Sequence, residues 1–335
     1  MKLSIYQTNG IKVSDISEIK GEFFVVEDHD VSSESTKYSY PGDKIIYELN
    51  SACVNLYDVF RDKIFADKDE YYKYLEIQPQ GLMRAGLDSD CNLPKELFKE
   101  YFTLSLQKYM EDEVYKNELD IKKFKYAYLA DCESLIDTVQ ELIQNCHSYL
   151  INFYKIFCLH PVKYGSDNDN DYYALTAMGR TVFSFASNLI ISLYSIFDIL
   201  TKIEYELEHI KECSNSYEKL ASRKVLFGER KKLQFENKEY TIFENSRNIS
   251  IVMNLRNELI HNATWEMNPK IFFKVQNNKL TEKCIYMPDF SKEGNLITYK
   301  NRKRFYAQGK RLNEELPKIY FDILKRILIT IQRMK

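Results

Sequence analysis

Apolar residues recur every three or four positions along most of the chain, and this spacing predicts long amphipathic helices. The pattern is clearest over about residues 45–65, 119–160, 175–211 and the final stretch from about Asn313. A further helix is predicted from about Pro94 to Tyr115, because proline is harmless in the first turn of a helix. The 335 residues include only 10 Gly and 7 Pro, which favours a mainly α fold over a turn-rich β protein.

Two regions depart from this spacing. Within residues 1–44, short apolar segments alternate with polar runs, which predicts a small β-containing start to a helical N-terminal half. Late in the chain, Ile271–Val275 and Cys284–Met287 alternate in a two-residue rhythm around Asn277-Asn278. This second pattern predicts a hairpin insertion near 271–300.

The polar stretch Gly165–Asp171 (GSDNDND) predicts a linker between two domains. The charge changes sign at the same place. Residues 1–166 hold 19 basic and 28 acidic side chains, a net charge of −9, whereas residues 167–335 hold 28 and 21, a net charge of +7. We therefore expect an acidic N-terminal region and a basic C-terminal domain that attracts a polyanion. Ordinary surface variation would give the same asymmetry.

The seven cysteines include no Cys-x-x-Cys pair, so neither a zinc site nor a disulfide framework is indicated. We expect reduced thiols, no metal and no cofactor. The chain does not open on a basic and then apolar leader, and it contains no run of 18 apolar residues. These features favour a soluble, cytoplasmic protein that does not enter a membrane.

Glu133, Asp137 and Glu141 follow one another in four-residue steps and share one face of the predicted 119–160 helix. Carboxylates placed in this way hold a metal ion or share a proton in some enzymes, which would allow a metal-dependent hydrolase. A solvated acidic face explains them more simply.

A second polar stripe, Asn188, Ser192, Ser195 and Asp198, runs beside the apolar face of the predicted 175–211 helix. Polar groups among apolar neighbours need hydrogen-bond partners, so this stripe faces another polar cluster, an interface or solvent.

The stretch Asn245–Ala263 (NSRNISIVMNLRNELIHNA) places a cation, an amide and an imidazole on one predicted helix. The asparagine or serine that opens the stretch is suited to cap its first turn. Asn257 and His261 are four residues apart and stack on one face. Arg256 starts about 140° from His261 but has a long side chain that reaches round, so we expect the three polar groups to converge.

Such a set meets the requirements for cutting RNA without a metal ion. The reaction needs a base for the 2′-hydroxyl proton, a cation for the charge that develops on the phosphate, and an acid for the leaving 5′-oxygen. Histidine gains and loses a proton near neutral pH, and arginine presents a forked guanidinium to phosphate. One histidine cannot be base and acid at the same instant, so we expect a homodimer that supplies a second copy.

The run Arg256-Asn257-Glu258-Leu259-Ile260-His261 resembles the R-x4-6-H motif of the HEPN superfamily of ribonucleases, in which a polar residue usually follows the arginine. The resemblance covers about residues 175–335 and implies a HEPN-like helical bundle there. It implies a dimeric, metal-independent endoribonuclease that leaves 2′,3′-cyclic phosphate and 5′-hydroxyl ends, with Arg256, Asn257 and His261 as catalytic residues. Family members serve as toxins and in abortive infection or anti-phage defence, which would add an antitoxin or regulatory partner.

Further residues complete the predicted site. The family often has an acidic or polar residue on an earlier helix, for which Asp198 with Ser195 is the candidate. The expected RNA contacts are the basic residues Arg230, Lys231, Lys232, Arg302, Lys303 and Arg304. Two alternatives stay open: a non-catalytic helical module that binds a nucleotide or a partner protein, and a purely structural role for Arg256 and His261.

Overall fold

The computed structural model describes residues 2–18, 24–29, 37–39, 43–75, 116–159, 170–174, 177–210, 219–262, 264–300 and 303–334. This part of the chain is mainly helical, which confirms the predicted fold class at that level. The predicted helix from Pro94 to Tyr115 and the predicted boundary between residues 166 and 167 lie outside the described residues.

The described ranges contain six α-helices, of which five match the apolar periodicity; the helix Lys68–Leu75 was not predicted from the sequence. The six are α1 (Asp43–Ile64), α2 (Lys68–Leu75), α3 (Lys116–Leu159), α4 (Ala177–Glu208), α5 (Arg247–His261) and α6 (Leu312–Arg333). Three short 3-10 helices span Ile16–Glu18, Ala221–Lys224 and Phe227–Lys232.

Pro317 lies inside α6, where its missing N–H leaves the carbonyl of Asn313 without its helical donor. The Tyr154 hydroxyl of α3 supplies a donor instead, 2.5 Å from the Asn313 oxygen. The helix therefore continues through the proline because a neighbouring side chain replaces the lost hydrogen bond.

The predicted β-containing start forms a four-stranded antiparallel sheet in the order β2-β1-β3-β4. Its strands are β1 (Lys2–Gln7), β2 (Lys12–Val13), β3 (Phe24–His29) and β4 (Lys37–Ser39). Ile5 of β1 lies opposite Val13 on one side and Val26 on the other.

The predicted hairpin is also present, and it belongs to a three-stranded sheet of β5 (Asn170–Ala174), β6 (Ile271–Gln276) and β7 (Lys279–Cys284) in the order β5-β6-β7. Asn277 and Asn278 both have positive φ, at 50° and 58°, as a tight two-residue turn requires. The second strand therefore begins at Lys279, earlier than the alternation at Cys284–Met287 suggested.

Strand β5 takes in the last two residues of the predicted linker, because Asn170 and Asp171 pair with Val275 and Lys274, while residues 165–169 lie outside the described residues. The tyrosines that follow them favour extended backbone, and β6 offers a free edge. Two further short strands, β8 (Thr298–Tyr299) and β9 (Lys303–Arg304), pair antiparallel.

The chain divides into two compact units, each built from separate stretches. The first unit comprises Met1–Leu49, Glu141–Ile196 and Lys238–Thr330, and the second comprises Asn50–Gln140, Phe197–Asn237 and Ile331–Lys335. The units do not coincide with the sequence halves 1–166 and 167–335, because strands and helices that are distant in sequence pack together in the first unit.

The second unit contains the buried carboxylates Glu204 and Glu206. Glu206 is fully buried, and it accepts hydrogen bonds from the Tyr128 hydroxyl at 2.9 Å and from the Ser222 backbone N–H at 2.7 Å. Burial and the nearby charge of Glu208 raise the pKa of Glu204 to about 7. The Tyr128 hydroxyl and the Ser222 N–H are the hydrogen-bond donors that the buried Glu206 carboxylate requires.

Helix α4 is the one described helix that is long and apolar enough to cross a membrane by length and composition, with a mean hydropathy of 1.6 over an 18-residue window. Of that window, 44% is buried within the protein, including Leu189 and Leu193. A core helix of a soluble protein meets the same criterion, so the absence of a membrane segment stays a prediction.

Lys283 of β7 is buried in the three-stranded sheet β5-β6-β7, with 3% of its surface exposed. Its ammonium group donates to the carbonyls of Phe157 at 3.2 Å and Cys158 at 2.8 Å, in the last turn of α3. Burial lowers its pKa. The lysine thus caps the carbonyl end of a long helix, where a positive charge is favourable.

Replacing Lys283 with methionine should lower the free energy of unfolding by about 1–3 kcal/mol, because two helix-end carbonyls lose their donor in a buried place. Urea unfolding followed by circular dichroism measures the change. Lys279→Met, on the same strand but exposed, is the matched control and should shift stability by less than about 0.5 kcal/mol. Equal unfolding of the two variants would show that the cap does not stabilise the fold.

Candidate active site at the end of helix α5

Helix α5 begins at the predicted cap and packs through an apolar face. The Ser246 hydroxyl accepts the backbone N–H of Ile249 at 3.3 Å, so it satisfies one of the free donors of the first turn. The buried side chains are Ile249, Ile251, Val252 and Leu255. The remaining face is left to carry polar groups.

A hydrogen bond and an ion pair connect the start of α5 and the residues just before it to α6. The Asn248 amide donates to Asp322 at 3.0 Å, and Arg326 pairs with Asp322 at 3.0 Å and with Glu244 at 2.5 Å. Hydrogen bonding to Arg326 lowers the pKa of Glu244. These contacts fix the helix that carries the motif.

The loop that contains Gly294 packs directly on α5. Gly294 has φ of +86°, and a Cβ atom there would collide with the carbonyl oxygen of Arg247 and press against Ser250. The Asn254 amide donates to the Gly294 carbonyl at 3.2 Å. Only glycine fits this close approach, which holds the 288–297 segment against the helix.

The helix ends directly after His261. The backbone N–H groups of Asn262 and Thr264 both donate to the Glu258 carbonyl, at 3.1 and 3.0 Å. Thr264 has φ of +77°, a left-handed conformation that is costly for a β-branched residue, and the chain then returns to bury Trp265. His261 is consequently presented at an exposed helix end.

The structure brings Arg256, Asn257 and His261 together, as the spacing predicted. One guanidinium nitrogen of Arg256, Nη1, lies 3.2 Å from Asn257 Oδ1 and 3.1 Å from His261 Nε2. Arg256 is half-buried, whereas Asn257 and His261 are exposed. A ligand therefore has access to all three polar groups.

The short distance between Arg256 and His261 sets the proton arrangement of the imidazole. A guanidinium can only donate, so Nε2 of His261 must accept and the ring proton must lie on Nδ1. In that arrangement the Nε2 lone pair points at the Arg256 guanidinium. Such a nitrogen can take a proton.

The aromatic ring of Tyr194 in α4 contacts the Arg256 guanidinium, which was not predicted from the sequence. The Arg256 guanidinium carbon lies 4.6 Å from the centre of the Tyr194 ring. A cation over an aromatic ring is stabilised by about 0.5–2 kcal/mol, depending on solvation. The tyrosine lies next to Ser195 in the polar stripe, but no spacing within α4 points to an arginine on another helix.

Glu258, within the motif, forms an ion pair that was not predicted from the sequence. Its carboxylate pairs with Arg304 of β9 and accepts the Asn262 amide at 2.7 Å. Arg304, predicted to contact RNA, is thus committed to an intramolecular ion pair and anchors its segment to α5. Its neighbour Lys303 is exposed, and Arg302 lies outside the described residues.

The auxiliary candidates make backbone hydrogen bonds. The Asp198 carboxylate accepts the N–H of Phe227 at 2.8 Å, within the second unit, and the Ser195 hydroxyl donates to the Ile191 carbonyl at 3.0 Å, within α4 itself. Each of these bonds has a structural explanation, and neither assigns the residue to the motif.

The other basic group belongs to the second unit, unlike the motif. Arg230 stacks over the Phe227 ring at 4.9 Å, and Lys232 pairs with Glu229 at 2.5 Å, while Lys231 is exposed. Their role as RNA contacts stays a prediction.

Within the described ranges, no group of three or more His, Cys, Asp or Glu side chains is arranged to hold a metal ion. Glu133, Asp137 and Glu141 therefore do not form the metal site that one reading of their spacing allowed. The cysteines in these ranges are buried and form no disulfide with one another: Cys53, Cys132, Cys146, Cys158 and Cys284.

Comparison with protein-family models, with curated proteins and with solved structures finds no match for this chain. The resemblance to HEPN ribonucleases therefore depends on the residues from Arg256 to His261. What the site can do follows from the chemistry of those side chains.

Proposed function

We propose that this protein is a metal-independent endoribonuclease of the HEPN type, with Arg256, Asn257 and His261 of two copies as its active site. One observation carries the proposal: a single guanidinium nitrogen lies within 3.2 Å of both the Asn257 amide oxygen and the His261 imidazole nitrogen, at an exposed helix end. A helical bundle with a HEPN-like arrangement in the C-terminal half is part of the proposal.

The first half of the reaction uses the neutral imidazole. The His261 Nε2 lone pair takes the proton of a ribose 2′-hydroxyl, and the 2′-oxygen attacks the adjacent phosphorus. The Arg256 guanidinium turns from the imidazole to the phosphate oxygens and stabilises the negative charge that develops there. The bond between phosphorus and the 5′-oxygen breaks, which leaves a 2′,3′-cyclic phosphate.

Asn257 orients the arginine for this step. Its Oδ1 accepts from Arg256, so its amide nitrogen faces away from the guanidinium and can donate to a phosphate or sugar oxygen. The Tyr194 ring lies 4.6 Å from the carbon of the same guanidinium. These contacts keep the cation beside the imidazole until it turns to a phosphate.

The leaving 5′-oxygen needs a proton from a second acid, and the protonated His261 of another copy would supply it. Ile260, next to His261, is 49% exposed, so an apolar side chain adjoins the motif on the surface that a second copy would cover.

The biological setting is proposed from the chemistry. A cytoplasmic nuclease that cuts RNA must be restrained until it is needed, which fits a toxin–antitoxin or anti-phage defence system with an antitoxin or regulatory partner. Exposed basic residues such as Lys231 and Lys303 would contact phosphates and guide the RNA.

The deciding experiment incubates the purified protein with RNA in EDTA and identifies the ends of the products. We expect cleavage without added metal, 5′-hydroxyl ends that a kinase labels directly, and 3′ ends that resist ligation until the cyclic phosphate is removed. Products with 5′-phosphates, or cleavage abolished by EDTA, would contradict the mechanism. RNA that is bound but left intact would favour the non-catalytic binding module.

A further inference from the structure

The segment from Lys303 to Tyr306 is attached through two of its residues, one to helix α5 and one to the chain just after that helix. Arg304 pairs with Glu258 of α5, and the Tyr306 hydroxyl donates to the Trp265 carbonyl at 3.0 Å. Partial burial and the charge of Glu266 raise the pKa of Tyr306 to about 12, so the hydroxyl keeps its proton at neutral pH.

The other two residues of this segment expose their side chains to solvent. Lys303 is exposed, and Phe305 has 44% of its surface exposed. On the paired strand β8, Tyr299 lies directly opposite Lys303 and is 53% exposed, with the Lys300 ammonium 5.4 Å from its ring centre. Tyr299 and Lys303 are therefore exposed neighbours, and exposed Phe305 comes directly after strand β9.

We propose that Tyr299, Lys303 and Phe305 form a platform that binds unpaired nucleotides of the RNA beside the bond that is cut. The inference rests on the proposed function and deepens it by assigning a surface of this chain to the nucleotides beside the scissile bond. Exposed rings stack on bases that are free of a duplex, and the lysines contact the intervening phosphates. A duplex keeps its base faces covered and offers the platform its phosphates alone.

The charges around the platform favour a polyanion over an acidic or apolar protein partner. Glu258 is paired with Arg304, and Asp289 is buried and accepts two backbone N–H groups at 2.9 Å each. Glu266 accepts a backbone N–H at 2.8 Å. The nearby carboxylates are thus engaged internally, while the ammonium groups of Lys300 and Lys303 face outward.

The ion pair of Glu258 with Arg304 sets the distance between platform and cleavage site. Glu258 lies three residues before His261, about one helical turn, so the platform is rooted in the same turn that carries the base. Nucleotides stacked on the platform would therefore be neighbours of the scissile phosphate.

Binding is measured by fluorescence anisotropy in EDTA, with every variant built on His261→Ala so that the probe stays intact. The probes are a labelled oligouridine of about 12 nucleotides and a fully paired RNA of the same length. We expect the single strand to bind more tightly than the duplex. Tyr299→Leu and Phe305→Leu should each weaken oligouridine binding about tenfold, with little effect on the duplex.

Tyr173→Leu is the matched control. Tyr173 is an equally exposed tyrosine, at 59%, in the same unit, and it also has a lysine near its ring, Lys270 at 5.6 Å. Its replacement should leave oligouridine binding unchanged. The leucine variants keep an apolar side chain, and unchanged circular dichroism verifies that they fold.

Equal binding of single strand and duplex would overturn the proposal, as would wild-type affinity in both platform variants. A change in oligomeric state with unchanged RNA affinity would instead identify the platform as a protein interface and would also overturn it. The outcome is separable from the proposed ribonuclease activity. Ring-dependent binding without cleavage by the unmutated protein rejects the nuclease alone, whereas cleavage by the unmutated protein together with wild-type oligouridine affinity in both platform variants rejects the platform alone.

Discussion

His261→Ala should slow RNA cleavage in EDTA by about 10³-fold or more, the largest effect expected of any single substitution in this chain. The imidazole is the group whose Nε2 can take the 2′-hydroxyl proton, and a proton transfer of this kind contributes about 10²–10⁴-fold. In a homodimer the substitution removes the base of one copy and the acid of the other. Single-turnover cleavage of a labelled RNA measures the loss.

His209→Ala is the control for the loss of a histidine as such. His209 lies just past the end of α4 in the second unit, where its Nδ1 is 2.7 Å from the Tyr205 carbonyl, and its replacement should leave the cleavage rate unchanged. Cleavage by His261→Ala at the wild-type rate would end the proposal that this residue is catalytic.

A mixing experiment separates a dimeric active site from independent copies. Wild type and His261→Ala are combined in equal amounts after subunit exchange. If both copies of a homodimer are required, about one quarter of the wild-type rate remains, whereas independent copies retain about one half.

The local features of the site were predictable because they depend on neighbours in sequence. Ser246 caps α5, the apolar face is continuous, and Asn257 and His261 share a face through the helical repeat. The reach of Arg256 to His261 also follows from side-chain length, and the structure shows that contact at 3.1 Å. The long helices and the hairpin were predicted from periodicity for the same reason.

The surroundings of the site were not predictable because they depend on contacts between distant segments. Tyr194 reaches Arg256 from another helix, and Arg304 reaches Glu258 across 46 positions of sequence. A basic run predicts attraction to RNA, but it does not reveal that one of its arginines is committed to an internal carboxylate. Likewise, buried Lys283 is one lysine among many until its place at the end of α3 is known.

Strand β5 shows why polar composition alone did not predict a strand at Asn170 and Asp171. Asn170 and Asp171 are poor strand residues in isolation, yet β6 provides partners for their backbone groups. Pairing with a strand about 100 positions later outweighs the local preference, since β propensity depends on context more than helix propensity does.

Arg256→Lys should lower kcat by about 10²–10³-fold although it preserves the charge. The Arg256 guanidinium contacts Asn257 and His261 through one nitrogen and has further N–H groups for a phosphate, whereas an ammonium is a single point with no fork. The substitution also removes the guanidinium from the Tyr194 ring. We expect the affinity for RNA to change much less than kcat, because an ammonium still attracts phosphate.

Arg247→Lys, at the first position of the same helix, is the matched control and should leave both kcat and RNA affinity unchanged. Comparison of kcat from single-turnover cleavage with affinity on the His261→Ala background separates positioning from attraction. A parallel fall in affinity and kcat would mean that Arg256 binds RNA without a special role in the transition state. A wild-type kcat in Arg256→Lys would show that charge alone suffices, and the contact with His261 would then lose its catalytic meaning.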